Sequence, residues 1–246
     1  MRFTRSIVPN LFTLVNLFMG FTAIIYIAKD EFEKAAFCIL IAAIFDMLDG
    51  VVARLFKSAS EFGVELDSLC DAVSFGVAPA YMLYKVYFFQ FNELGILFAS
   101  FPALAGIVRL ARFNVMLSSF EDKKYFTGLA IPSGAFVILA YVIFFHLKNE
   151  VPLAIKDYAM FALSVGTSLL MISKIKFKNI PRPTPKSFKE NPVFFSIFIV
   201  GVVVCIITKG KFIFPFMMLY IIGSSVIHFI KWIKTTREAT DDLEDT

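Results

Sequence analysis

Apolar positions in this chain run on in long blocks and do not alternate with polar ones. The blocks cover about 9–28, 32–56, 63–88, 94–117, 129–147, 153–173, 193–208 and 212–233. A helix needs roughly 20 mostly apolar residues to cross a bilayer, so each block reads as a span, the seventh a short one. Charge clusters mark the breaks: 29–34, 54–61, Glu121-Asp122-Lys123-Lys124 and Lys148-Asn149-Glu150. The longest polar interval, Lys174 to Pro192, holds prolines that forbid a continuous helix and six basic residues suited to anionic membrane lipids. The pattern predicts an all-α polytopic membrane bundle of about eight transmembrane helices. Its parts are a six-helix core over 1–173, a basic linker over 174–192, two further helices over 193–234 and an acidic disordered tail over 235–246.

Composition turns this pattern into an exclusion. The chain has 246 residues, of which 58% are apolar and 31 are Phe. Mean hydropathy is +0.75, which leaves too little polar surface to cover a soluble globule of this length. A soluble enzyme, a nucleic-acid module and a disordered chain are excluded. A net charge of +4 does not suggest a nucleic-acid partner and fits basic flanks on one side of a membrane. With the N-terminus inside, 17 of the 24 Lys and Arg fall in inner segments, so both termini are expected in the cytoplasm. Pro9, Asn10 and Asn16 interrupt the first apolar block and no A-x-A site follows, so it is expected to be a retained span. Cys38, Cys70 and Cys205 stand singly in apolar runs and read as core residues.

Against this background four carboxylates stand out. Asp46, Asp49, Asp67 and Asp71 lie in the second and third apolar blocks, where insertion of one Asp costs about 2.5–3.5 kcal/mol. Steps of three and four residues keep each pair on one helix face, and both pairs flank the 54–61 turn at similar distances. Two antiparallel helices joined there would bring all four to one depth near the cytoplasmic surface. Four facing carboxylates need protons or cations to neutralise them. Oxygen-only ligands suit Mg²⁺, Mn²⁺ or Ca²⁺, and two such ions would serve phosphoryl displacement. Gly50, Ala53 and Gly63 leave room beside the carboxylates for a ligand, or for close helix packing. Arg54 ends the stripe, placed to meet an anionic group.

Written out, the segment is Asp46-x2-Asp49-Gly50-x2-Ala53-Arg54-x8-Gly63-x3-Asp67-x3-Asp71. It resembles the signature of the CDP-alcohol phosphatidyltransferase family at all eight fixed positions. Residues 7–16 are similar to the family's first-helix entry, and 65–79 and 109–114 resemble a branch of the family whose acceptor is L-serine, with Cys70 where Ala is expected. The resemblance implies metal ligation, by two Mg²⁺ or Mn²⁺ ions, at Asp46, Asp49, Asp67 and Asp71. It implies CDP-diacylglycerol contact at Gly50, Ala53, Arg54 and Gly63, with Asn10, Thr13 and Ser60 as further candidates. Asp71 would be the general base that deprotonates the acceptor alcohol, with CMP as the other product. The family also implies a homodimer, and the Lys and Arg distribution that sets the termini puts the 54–61 turn, and with it the site, on the cytoplasmic side of the cytoplasmic membrane.

A serine carboxylate needs a fixed cation. Arg109 and Arg112, three apart in the fourth block, and the nearby Asn114 are the candidate acceptor site. Arginines at that depth also serve as inside anchors, and a glycerol-3-phosphate acceptor would want the same cations. Glycerol-3-phosphate, inositol or inositol phosphate as acceptor is therefore the first alternative. A cation- or proton-coupled transporter is the second, disfavoured because the carboxylates sit in one hairpin with no inverted repeat.

Overall fold

The computed structural model describes residues 2–55, 60–117, 126–150, 152–177, 201, 204–205 and 207–244. It is helical apart from one two-residue antiparallel ladder. In chain order the helices are α1 (Arg2–Ala28), α2 (Phe32–Leu55), α3 (Glu61–Asp71), α4 (Ala78–Val86), α5 (Asn92–Leu117), α6 (Ile131–Tyr141), α7 (Leu153–Ile172) and α8 (Ile213–Glu244). Among the described residues, five helices are long and apolar enough to cross a membrane: Pro9–Ala28, Phe32–Ala53, Phe88–Met116, Ile155–Ile172 and Ile213–Ile230. The apolar helix Ile131–His146 is shorter. The expected third span is a continuous helical path through α3 and α4, interrupted by a π turn and carrying two of the carboxylates. The expected seventh span, most of the linker and the segment 118–125 lie outside the described residues.

The chain divides into two units, Met1–Glu121 with Ala130–Ile172, and Asp122–Leu129 with Ser173–Thr246. In the second unit, β1 (Phe126–Thr127) pairs with β2 (Lys176–Phe177), and the Phe177 ring meets Tyr220 of α8 at 6.0 Å. The first unit holds the site. Its α1 and α2 form a hairpin whose turn places Asp30 in the left-handed region, and Lys85 of α4 reaches Asp30 at 3.1 Å. Outward positions such as Phe18, Phe37, Met47 and Val108 are exposed, as lipid-facing side chains are in a membrane helix.

Prolines inside the spans have local compensation, which a bilayer demands because no water is present to satisfy a freed carbonyl. Pro102 in α5 cannot donate to the Phe98 carbonyl, and Ser164 of α7 donates its hydroxyl there instead. Pro79 follows the π turn Ala72–Val77, whose extra residue shifts the ladder so that Ala78 N–H reaches Val73 O. Pro132 starts α6, where its missing N–H is no loss. Around Phe161, the rings of Phe98 and Phe88 stand at 5.0 and 5.1 Å, edge to face, tying α5 and α7 to the turn after α4.

The closest approach of α1 to the π turn is at Gly20. A Cβ there would lie 2.2 Å from Ser74 Oγ and 2.8 Å from its Cα. Gly20→Val is therefore expected to abolish or severely reduce the yield of folded protein in detergent, read by size-exclusion chromatography and thermal melting. Gly166→Ala, where a Cβ meets nothing within 4 Å, should melt at or slightly above the parent temperature.

Candidate functional site

The site is built on the C-terminal half of α2 and on α3, whose carboxylates come together. Asp46 and Asp49 stand one turn apart on α2, and Asp67 and Asp71 one turn apart on α3. Ser60 starts α3 by accepting the Gly63 N–H at 3.1 Å, which fixes the phase of the helix that follows. Asp46, Asp49 and Asp67 each offer a carboxylate oxygen within 4.8 Å of the others, with Asp49 buried and the other two half-buried. Asp67 Oδ1 is buried and has no hydrogen-bond donor among the described residues. Three clustered carboxylate oxygens, with an unpaired buried oxygen on one of the same residues, match the donor set of a hard divalent cation. The three residues could hold a metal ion.

Helix α1 supplies the other half of the arrangement. Thr13 Oγ1 donates to Asp49 Oδ2 at 2.8 Å, and Asn16 Nδ2 donates to Asp71 Oδ1 at 3.0 Å. Both α1 residues are buried, Asn16 completely. Ser74 of the π turn donates to the Asn16 carbonyl at 3.0 Å, which pins the backbone at that point. The Asn16 side-chain Oδ1 has no donor among the described residues, a state that costs about 1–3 kcal/mol in a buried group. Spacing and motif alone give Asn16 no role. A signal is nevertheless present in the sequence: a carboxamide at apolar depth, one turn from Thr13 and hence on the same face.

Beside the carboxylates lies a cleft of about 130 Å³ between α1, α2 and α3. Its lining includes Asn10, Thr13, Asp49, Gly50, Ala53, Ser60, Gly63 and Asp67. The residues singled out by spacing on α2 and α3 and those in α1 thus converge on one cavity. A Cβ on Gly63 would stand 3.2 Å from Ser60 Oγ and 3.4 Å from Asn10 Oδ1, so glycine keeps that wall open. The side chain of Arg54 lies outside the described residues.

The three residues expected to meet an acceptor are each engaged with the protein. Arg112 donates to the carbonyls of Ile172 at 3.0 Å and Met171 at 3.5 Å, at the C-terminal end of α7, where a cation is favoured. Asn114 Nδ2 donates to Glu65 Oε2 at 3.2 Å and Ser68 Oγ at 3.0 Å, both on α3. Arg109 is buried in α5. Arg112 and Asn114 therefore face different neighbours, α7 and α3.

A family model of the CDP-alcohol phosphatidyltransferases matches residues 6–173. The chain is 31% identical to the CDP-diacylglycerol–serine O-phosphatidyltransferase of Helicobacter pylori strain J99, over 92% of this chain and 90% of that one. It is 34% identical to the enzyme of that name from Methanocaldococcus jannaschii, over 90% and 92%. An archaetidylserine synthase of Methanothermobacter thermautotrophicus is 36% identical over 70% of each chain.

If the carboxylate trio holds a cation, Asp46→Asn and Asp67→Asn should each weaken Mn²⁺ binding to the purified protein by about tenfold or more. That range is one that even outer-shell partners of metal ligands reach. Thr13→Val keeps every carboxylate and removes only a hydrogen bond, so it should weaken Mn²⁺ binding less. Titration followed by electron paramagnetic resonance reads both effects without turnover.

Proposed function

The chain belongs to the CDP-alcohol phosphatidyltransferase family, and on that premise we propose that it transfers a phosphatidyl group from CDP-diacylglycerol to the hydroxyl of L-serine, releasing CMP. The observation that carries the reading is the cleft between α1, α2 and α3, with the three clustered carboxylates at its side. A membrane-embedded donor with a pyrophosphate headgroup needs an anion-handling site within reach of the lipid, and a carboxylate site can meet that need with cations.

In this reading the cleft residues Asn10, Thr13, Gly50, Ala53, Ser60 and Gly63, together with Arg54, hold the nucleotide and pyrophosphate end of the donor. The small residues admit it and Arg54 supplies a positive charge. Asp46, Asp49, Asp67 and Asp71 would hold divalent metal, two ions of Mg²⁺ or Mn²⁺, which when bound draws charge from the phosphate oxygens. Asp71 takes the proton of the serine hydroxyl. The serine oxygen forms a bond to the phosphorus that bears the diacylglycerol, and the bond from that phosphorus to the CMP oxygen breaks. Arg109 and Arg112, with the amide of Asn114, meet the serine carboxylate.

The same reading gives the chain eight spans, six in the catalytic core over 1–173 and two after the basic linker 174–192, with an acidic tail over 235–246. Both termini and the site face the cytoplasm, as the distribution of Lys and Arg favours. The linker lies against anionic headgroups. The enzyme sits in the cytoplasmic membrane and works as a homodimer, in line with its family.

Purified protein in detergent with CDP-diacylglycerol and Mg²⁺ or Mn²⁺ should release CMP when serine is added. Chelation with EDTA should stop it, and Asp71→Asn should reduce it by at least about 100-fold, the scale of losing a general base. Turnover with glycerol-3-phosphate or inositol in place of serine would overturn the acceptor. Absence of CMP with every alcohol would overturn the transferase.

A further inference from the structure

Helix α1 touches the carboxylates on one narrow face. Thr13, Asn16 and Gly20 follow one another at helical spacing, and they meet α2, α3 and the π turn after α3 respectively. Thr13 reaches a member of the three-carboxylate cluster, Asp49. Asn16 reaches the fourth carboxylate, Asp71. The two contacts are alike in chemistry, and they act on groups with different tasks in the function proposed above.

We propose that Asn16 is a positioning residue for Asp71, fixing which oxygen of that carboxylate is left to face the acceptor hydroxyl. Three observations carry this. The Asn16 amide donates to Asp71 Oδ1 at 3.0 Å from a completely buried position. Its own Oδ1 has no donor among the described residues, so the contact with Asp71 sets the amide orientation at the expense of the other half of the amide. Asn16 is also held from behind, by the Ser74 hydroxyl on its carbonyl and by the close fit of Gly20 on Ser74. The donor is the half of the amide that a carboxylate can use, and the backbone that carries it is held in place.

The consequence is directional. With Oδ1 committed to Asn16, Asp71 keeps its other oxygen for the hydroxyl proton of the acceptor. The hydrogen bond also resists rotation of the carboxylate toward the neighbouring trio. Asn16 touches no reacting atom, so its removal should lower turnover and leave binding alone. The inference rests on the reading of Asp71 as the base.

The experiment compares Asn16→Ala and Asn16→Asp with the parent enzyme in the serine-dependent CMP assay, with Mn²⁺ binding and thermal melting measured on the same preparations. The expected result is a kcat lower by about 10–100-fold with both KM values and the Mn²⁺ affinity unchanged. The exchange pair Asn16→Asp with Asp71→Asn rebuilds the hydrogen bond in reverse. It should recover melting temperature lost by Asn16→Asp while turnover stays lost, because the base is no longer on α3. Unchanged kcat in folded Asn16→Ala, a loss of Mn²⁺ affinity equal to that of Asp67→Asn, or recovery of turnover in the exchange pair would each overturn the positioning role. A parent enzyme that releases no CMP with any alcohol would overturn the base and the positioning role together, which separates that failure from the others.

Discussion

Four carboxylates set in an apolar helical bundle repel one another, and the structure around them answers that constraint. Their mutual repulsion grows as solvent is removed, so the fold must supply donors, cations or both. Part of the answer comes from α1, a largely apolar helix that turns a hydroxyl and a carboxamide toward Asp49 and Asp71. The other part is the gathering of Asp46, Asp49 and Asp67 oxygens to within 4.8 Å, an arrangement that calls for protons or positive charge among them. A transporter ion site would face the same constraint. The cleft walled by Gly50, Ala53 and Gly63 gives the cluster a neighbour that ion transport does not need.

Close packing of α1 is the mechanical side of the same requirement. Hydrogen bonds of 2.8 and 3.0 Å between short side chains need helix backbones near one another, and Gly20 supplies that approach one turn beyond Asn16. The π turn at Ala72–Val77 begins directly after Asp71 and contains Ser74, which binds the α1 backbone. An added residue at that point re-phases the helix, so that Asp71 can face α1 while α4 presents Met82 and Leu83 to the core. The π turn is thus part of how one helical path serves both the site and the bundle.

Much of this arrangement is legible in the amino-acid sequence, for a physical reason. Lipid makes polar groups expensive, so the few that persist in apolar blocks point to function, and helical spacing alone pairs Asp46 with Asp49 and Asp67 with Asp71. The cleft residues on α2 and α3 are legible because they share those faces. What stays hidden depends on contacts between distant parts of the chain. Asn16 meets Asp71 across 55 positions, and Arg112 meets the end of α7 across 60, and neither spacing leaves a local trace. Block length alone also misses how individual helices are wound. The third block is a helix broken by a π turn, and the fifth is short, because hydropathy does not register where a helix changes its winding.

Arg112 changes the balance of the acceptor side. An arginine that closes the last carbonyls of α7 is held in place by them, so its guanidinium presents its charge from a fixed position. Asn114 is fixed in the same manner by Glu65 and Ser68, and Ser68 is the immediate neighbour of Asp67. The C-terminal end of α5 is therefore coupled both to α7 and to the helix that carries two carboxylates. A shift of α5 that moved Arg112 would strain the hydrogen bonds of Asn114 to α3. If these α5 residues meet the acceptor as proposed, they and the carboxylates keep a common geometry, on which proximity catalysis depends, because misplacement by about 1 Å can cost 100-fold in rate.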